Sequence, residues 1–181
     1  MAKGSGIPGI ERFIGRIFLS RWCAKHPPEA TMPLVRQQHD ALLTLMTDAG
    51  SRAGVQVSIK RLPGLEASST NYSLAIGADH LARVNTDLAT TIQHLARGEP
   101  CPIVVSTANY KPAPGTVPDR ARADLELSLS RLDHALAYTA PIRRSRVTHT
   151  HPWFGALPAS TWACFPSFHQ EIHLKQARLI A

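Results

Sequence analysis

Apolar residues recur every three or four positions in four long segments of this chain, the spacing of the buried face of an α-helix. The first segment covers about residues 33–49 and the second about 72–97. The third covers about 118–138 and the fourth about 160–180. No segment alternates apolar and polar residues in the sustained way that predicts a β-strand. The pattern therefore predicts an all-α protein.

Residue types that end helices border these segments. Gly50 follows the first segment and Gly98 follows the second. Pro118 suits the first turn of the third helix, whereas Pro141 blocks its extension. The residues predicted to face the core are Leu34, Gln38, Leu42, Leu45 and Ala49 in the first segment, Gly77, Leu81, Val84, Leu88, Ile92 and Leu95 in the second, and Leu125, Leu129, Leu132 and Leu136 in the third.

Four amphipathic helices of similar length predict an antiparallel four-helix bundle. At most one minor strand pair is expected, and residues 55–59 could supply an extended piece. Two long connections remain, a Pro-rich crossover at 101–114 and a loop at 143–157. Connections of this length in a compact domain are often functional.

Ahead of the bundle, residues 7–22 form a basic amphipathic segment with Ile10, Ile14, Ile17 and Phe18 as its apolar stripe. Such a segment could lie on a membrane surface. Packing on its own bundle or on a second subunit is the favoured alternative. The predicted organisation is thus an N-terminal amphipathic segment at 1–30 and a bundle domain at 31–181.

The composition fits one globular domain. The chain has 181 residues, of which 44% are hydrophobic and 18% are charged. No apolar run approaches the ~20 residues that span a bilayer, so no membrane partner is expected. Charged residues interrupt the apolar N-terminus, which predicts no signal peptide. Its three cysteines, Cys23, Cys101 and Cys164, suit a reducing cytoplasm better than a disulfide framework.

The net charge is +7 and the charge is scattered, apart from the N-terminal segment and a cluster at Arg143, Arg144 and Arg146. Nucleic-acid binding is not favoured, because no aromatic platform or known binding motif accompanies the charge. An ordinary basic surface and an affinity for anionic small molecules both remain open.

Two histidines four residues apart give the strongest chemical signal. His169 and His173 lie on the fourth segment, so their imidazoles project from one helix face. His80 lies between Gly77 and Val84 on the inward face of the second helix. Imidazole is the commonest metal ligand in proteins, and bundles build metal sites from facing helices. Three such ligands leave positions for water or substrate, as in catalytic sites.

The stretch His-Gln-Glu-Ile-His does not match the zinc-protease motif. That motif places Glu directly after the first histidine, whereas Gln170 stands here and Glu171 is expected on the opposite face. His149 and His151 could approach a metal or shuttle protons. The other chemically suggestive residues are expected to be structural or at the surface, namely His26, His39, His94, His134 and the buried thiol Cys164. Pro166 predicts a kink or a late start of the fourth helix.

These residues resemble the DinB-like superfamily of bacterial four-helix-bundle metalloproteins. The resemblance lies in His151-Pro-Trp-Phe-Gly155, in Trp162, and in a last helix with His169, His173, Leu174 and Gln176; Asp79-His80-Leu81 is similar to the family's second helix. It spans about residues 31–181. It implies one divalent ion, zinc, nickel or iron, held by His80, His169 and His173, and a homodimer. Some members are transferases or isomerases that use low-molecular-weight thiols.

The leading functional hypothesis is a metal-dependent thiol transferase, or a related enzyme, acting on a small molecule. His151 or Gln176 is a candidate to orient the substrate or a ligand, and an arginine within 143–146 to hold a carboxylate. Two alternatives remain: a non-catalytic metal-binding or dimerising stress-related bundle protein, and a metal-dependent hydrolase.

Overall fold

The computed structural model describes residues 9–111, 115–137 and 139–181. Within them the chain forms a mostly helical structure with two small strand pairs. The helices are α1 Gly9–Lys25, α2 Pro28–Ala49, α3 Leu74–Ala96, α4 Pro118–Leu136, α5 Thr139–Arg144 and α6 Ala159–Ile180. The all-α prediction is confirmed, and the four predicted segments correspond to α2, α3, α4 and α6.

These four long helices form a bundle. Around it α2 packs on α6, α6 on α3, α3 on α4, and α4 on α2. Each helix therefore buries its apolar face against two neighbours. Two clusters of buried residues fill the interior. One is centred on Ile92, Leu132 and Trp162, and the other on Leu42, Leu81 and Leu125.

Helix boundaries differ from the predictions at two prolines. α2 begins at Pro28 rather than near residue 33, because a proline in the first turn needs no N–H acceptor. α6 begins at Ala159 and continues through Pro166, so the predicted late start is wrong. The predicted end of the third helix, Tyr138, lies outside the described residues, and α4 ends at Leu136.

The buried face of α2 is rotated from the predicted one. Val35 and Met46 are buried, whereas Leu34, Leu45 and Ala49 are only half-buried. A step of one residue turns a helix by about 100°, so apolar residues on both sides of the stripe make its centre hard to locate from sequence. The predicted stripes of α3 and α4 are confirmed, except that Gly77 and Leu129 are half-buried.

Two antiparallel strand pairs form where at most one was expected. β1 Val57–Ser58 pairs with β2 Asn71–Tyr72, which confirms the extended piece. β3 Thr148–His151 and β4 Gly155–Pro158 form a hairpin inside the predicted 143–157 loop. Gly155 has a φ of +71° and begins β4 directly after the turn. The hairpin strands are too short to show alternation above the surrounding loop.

The N-terminal helix α1 lies against α6, but not through the predicted stripe. Leu19 is its buried contact, with 1% exposure. Gly15 allows a close approach, since a Cβ there would lie 3.2 Å from Phe154. The predicted stripe is instead exposed, from Ile17 at 41% to Ile10 at 69%. The helix therefore has two apolar faces, one packed and one open.

We expect Leu19→Ala to lower the free energy of unfolding by about 3 kcal/mol, because a buried leucine loses its packing. Ile10→Ala on the same helix is the matched control, and its effect should stay within about 0.5 kcal/mol. Urea unfolding monitored by circular dichroism measures both. Equal effects of the two substitutions would contradict this packing of α1.

Within the described residues, no helix combines the length and apolarity required to cross a bilayer.

Candidate metal centre

The three histidines singled out from sequence come together. His80 projects from the second turn of α3, and His169 and His173 project from α6. Each offers one ring nitrogen, and the three nitrogens lie within 4.8 Å of one another. The ring centroids are 4.5 Å apart for His80 and His173, and 4.6 Å apart for His169 and His173. A cluster of this size could hold a single metal ion.

A backbone carbonyl orients His80. Its Nδ1–H donates to the carbonyl oxygen of Tyr110 at 2.9 Å, so Nε2 carries the free lone pair. Tyr110 ends a single 3-10 turn, Thr107–Tyr110, within the crossover between α3 and α4. The Nε2 atom is buried and has no partner among the described residues. The crossover thus fixes the tautomer that a metal ligand needs.

A glutamine orients His173 in the same way. The Nδ1–H of His173 donates to Gln176 Oε1 at 2.8 Å. Gln176 is buried, and its Nε2 donates to the carbonyl oxygen of Ser69 at 2.6 Å. This second bond fixes which way the amide points, so Oε1 faces the imidazole. Of the two roles considered for Gln176, orienting the substrate or orienting a ligand, its position fits the second.

His169 has a nitrogen that the protein leaves unsatisfied. Its ring stacks on Phe165 with centroids 5.7 Å apart. Its Nδ1 is buried and has no hydrogen-bond partner among the described residues. Native proteins rarely leave buried polar atoms unpaired, because each costs its full desolvation. Together with the unpartnered Nε2 of His80, this fits a centre that binds a cation.

Burial keeps all three imidazoles neutral. Desolvation lowers the pKa of His80. It also lowers the pKa of His169 well below its usual value, and repulsion from His173 and His80 lowers that pKa further. Desolvation, with repulsion from His80, lowers the pKa of His173 to about 3. At neutral pH the lone pairs are therefore free of protons, as metal ligation requires. The three residues fit a divalent ion that takes imidazole ligands, such as zinc, nickel or iron.

The cluster opens into a large cavity. Its volume is about 830 Å³, and α1 forms one of its walls. Its lining surface is mostly apolar, and the aromatic and aliphatic side chains there include Val84, Leu88, Trp153, Phe154 and Phe165. Cavities of about 300–1,000 Å³ with an apolar lining and a few polar groups are typical of small-molecule sites.

His151 also lines this cavity, whereas His149 does not. The Nδ1 of His151 accepts from the backbone N–H of Trp153 at 3.1 Å, so the proton is on Nε2. Its ring stacks on Phe154 with centroids 4.7 Å apart. Burial lowers the pKa of His151 to about 3. His151 is therefore a neutral hydrogen-bond donor near the cluster.

The arginines expected to hold a substrate carboxylate are elsewhere. None of Arg143, Arg144 and Arg146 lines the cavity. Arg143 instead makes two hydrogen bonds of 2.7 Å to the carboxylate of Glu29. The cations that do line the cavity are Arg12, Arg21, Lys25, Arg61, Lys111 and Lys175. Arg12, Arg21 and Lys25 all lie on α1, whose basic character the sequence showed but whose place at the cavity it did not. The other three come from separate elements and form no local motif.

Glu171 is outside the histidine cluster, but it lines the same cavity rather than the opposite face of the helix that was expected. Its carboxylate accepts from Gln38 Nε2 at 3.2 Å and pairs with Lys175 at 3.5 Å. Gln170 is buried and donates to the carbonyl oxygen of Val35. The stretch between the two histidines thus ties α6 to α2, and supplies no general base directly after a ligand.

No protein-family model matches the chain, and no curated protein sequence matches it. The chain is similar to a solved structure described as the crystal structure of TT2238, a four-helix bundle protein. The two are 20% identical and superpose with a TM-score of 0.53, over 83% of this chain and 96% of that one. At this identity the likeness shows the fold alone, a four-helix bundle.

Proposed function

We propose that this protein is a metal-dependent enzyme of the DinB-like superfamily that acts on a small molecule, with a low-molecular-weight thiol as its co-substrate. One observation carries the proposal. Three neutral imidazoles, two of them with buried unpartnered nitrogens, converge at a cavity of about 830 Å³. A purely structural site closes around its ion, whereas an open face leaves room for reactants.

His80, His169 and His173 would hold the ion. A divalent ion bound there lowers the pKa of a coordinated thiol or water and so supplies a nucleophile at neutral pH. Zinc, nickel and iron all suit imidazole ligands. A thiol is proposed ahead of water because the DinB-like resemblance implies relatives that use low-molecular-weight thiols.

The surrounding residues have separate tasks in this proposal. The carbonyl of Tyr110 and the amide of Gln176 hold two of the imidazoles in the ligating orientation. Phe154 and Phe165 exclude water from one side of the cavity. His151 Nε2–H is a donor for negative charge that develops on the substrate, since neutral donors in a dry site stabilise such charge.

The test combines metal analysis with an activity assay. The protein is purified without chelator, its metal content is measured by mass spectrometry, and loss of free thiol is followed with 1-chloro-2,4-dinitrobenzene as the electrophile. We expect close to one ion per chain and a thiol-consuming activity that disappears on chelation and returns with the metal. Stoichiometric metal without metal-dependent reaction would favour the non-catalytic alternative.

We expect Gln176→Ala to weaken metal affinity by about 10–100-fold, because His173 loses the group that orients it. Gln37→Ala, at an exposed position on α2, should leave the affinity unchanged. Competition with a chromophoric chelator measures both constants. Unchanged affinity in Gln176→Ala would show that the amide has no part in the site.

The DinB-like resemblance also implies a homodimer. Ile10 and Ile17 on α1, which are exposed and do not line the cavity, offer one apolar surface for it. Light scattering during gel filtration gives the mass in solution, and a monomer would remove dimerisation from the proposal.

A further inference from the structure

The wall that α1 contributes to the cavity carries two kinds of side chain. Ile14 and Phe18 line the cavity although they are 44% and 58% exposed. Arg12, Arg21 and Lys25 line it from the same helix. An apolar side chain open to solvent gains free energy when an apolar group covers it. This wall therefore suits a ligand with an apolar body and a negative charge.

Cations at the cavity differ in whether the protein already neutralises them. Arg61 is paired with Glu11, and Lys175 with Glu171. Arg12, Arg21, Lys25 and Lys111 have side chains with no ion-pair or hydrogen-bond partner among the described residues, and all four are exposed. Two carboxylates, Glu66 and Asp87, also line the cavity and make no ion pair among the described residues, so the unpaired cations outnumber the unpaired carboxylates by four to two. This excess of positive charge raises the local concentration of anions and favours an acidic group there.

A second part of the lining is an aromatic wall. It consists of Trp153, Phe154, Phe165 and Phe168. This wall adjoins α1, because Phe154 lies close to Gly15 and Phe168 contacts Trp22. The indole Nε1–H of Trp153 is buried and has no partner among the described residues. An apolar body lying between this wall and Phe18 would be covered on two sides. A polar acceptor on that body would satisfy the indole N–H.

We propose that the cavity binds an organic acid with an aromatic or aliphatic body, its anionic group held at the opening by Arg21 and Lys25 and its body between Phe18 and the aromatic wall. This binding proposal rests on the proposed function in one respect only, since it names the class of molecule that would reach the histidines. None of the residues that carry it belongs to the histidine cluster. Failure of metal binding would therefore leave it intact, and its own failure would leave the metal site intact.

Calorimetry with three ligands that share one body tests the charge preference: 6-phenylhexanoate, 6-phenylhexanol and 6-phenylhexylamine. On the protein as purified we expect the acid to bind about three- to tenfold more tightly than the alcohol, and the amine to bind most weakly. The order should persist after chelation. Equal affinities for the three ligands, or tightest binding of the amine, would overturn the proposal.

Two pairs of variants locate the contacts. In the double variant with Arg21→Gln and Lys25→Gln, the ratio of acid affinity to alcohol affinity should fall to nearly one. The control double variant, with Arg16→Gln and Arg52→Gln, removes two exposed cations that do not line the cavity and should preserve this ratio. Phe18→Ser should weaken acid and alcohol equally, by about fivefold. Phe13→Ser, at a 65% exposed position outside the cavity, is its control. A preference for the acid that is unchanged in Arg21→Gln, Lys25→Gln would refute this site. A preference that is lost on chelation would place the acid on the metal and would refute it as well.

Discussion

Replacing His169 or His173 with alanine is expected to remove nearly all bound metal. Both residues offer a neutral ring nitrogen to the same cluster, so each substitution leaves two ligands. Disturbing a group that merely orients a ligand costs about 10–100-fold in affinity, and loss of a ligand should cost at least that much. His80→Ala should behave alike, because its Nε2 is one of the buried nitrogens without a partner. Mass spectrometry of the purified variants measures the metal content.

His94→Ala is the matched control. His94 is on α3 with His80, but it lies near Glu99 and away from the cavity. We expect it to retain full metal content. The ligand variants should also lose thermal stability that the parent protein gains from added metal, since an ion that binds only the folded state stabilises it. Full metal occupancy in a His169→Ala, His173→Ala double variant would refute the site and the thiol-transfer proposal with it.

The part of this site that sequence predicted depends on helix periodicity. His169 and His173 are one turn apart, and His80 is in register with the buried stripe of α3, so a bundle alone brings them to one interior. Such spacing is local and survives errors of one or two residues in a helix boundary. For this reason the ligands could be named even though the start of α2 was misplaced by five residues.

Other parts of the site leave no comparable signal. His80 is oriented by a main-chain carbonyl at Tyr110, thirty residues away, and any residue type there could supply it. Gln176 was identifiable because it shares the last helix with His173, whereas its anchor, the carbonyl of Ser69, was not. The cations at the cavity come from α1, α6 and two connections, so only the fold brings them together.

The packing of α1 shows a different limit. A helix with one apolar stripe has one possible buried face, but α1 has two, one through Ile10, Ile14 and Ile17 and one through Leu19 and Trp22. The second face is buried because Leu19 fits the bundle and the indole N–H of Trp22 donates to Ser167 Oγ at 2.9 Å. Neither partner can be read from the sequence of α1 itself. The consequence is functional, since Ile14 and Phe18 of the exposed stripe line the cavity, whereas Ile10 and Ile17 do not.

The stability of the metal-free protein is expected to fall steeply as the pH drops below ~6.5. Burial lowers the pKa of His151 and of His173 to about 3, and it also lowers that of His80 and His169. In the unfolded chain these groups titrate near ~6.5. Between those values the unfolded state binds protons that the folded state does not, so acid favours unfolding. His151 and His173, whose pKa falls to about 3, each cost about 1.4 kcal/mol of stability per pH unit between the two values.

His151→Phe isolates one of these terms without touching a metal ligand. Phenylalanine keeps a ring against Phe154 but has no group to protonate. The substitution also changes the absolute stability of the protein, because the N–H of Trp153 loses its acceptor. The readout is therefore the slope of the unfolding free energy against pH. Urea unfolding of chelated protein between about pH 6.5 and 4.5 should give a slope lower by about 1.4 kcal/mol per pH unit than the parent's. Gln37→Ala, which changes no titratable group at an exposed position on α2, should keep the parent slope. A parent stability that stays flat over this range would mean that these histidines are not buried in their neutral form, and the argument that their lone pairs are free for a metal at neutral pH would fail with it.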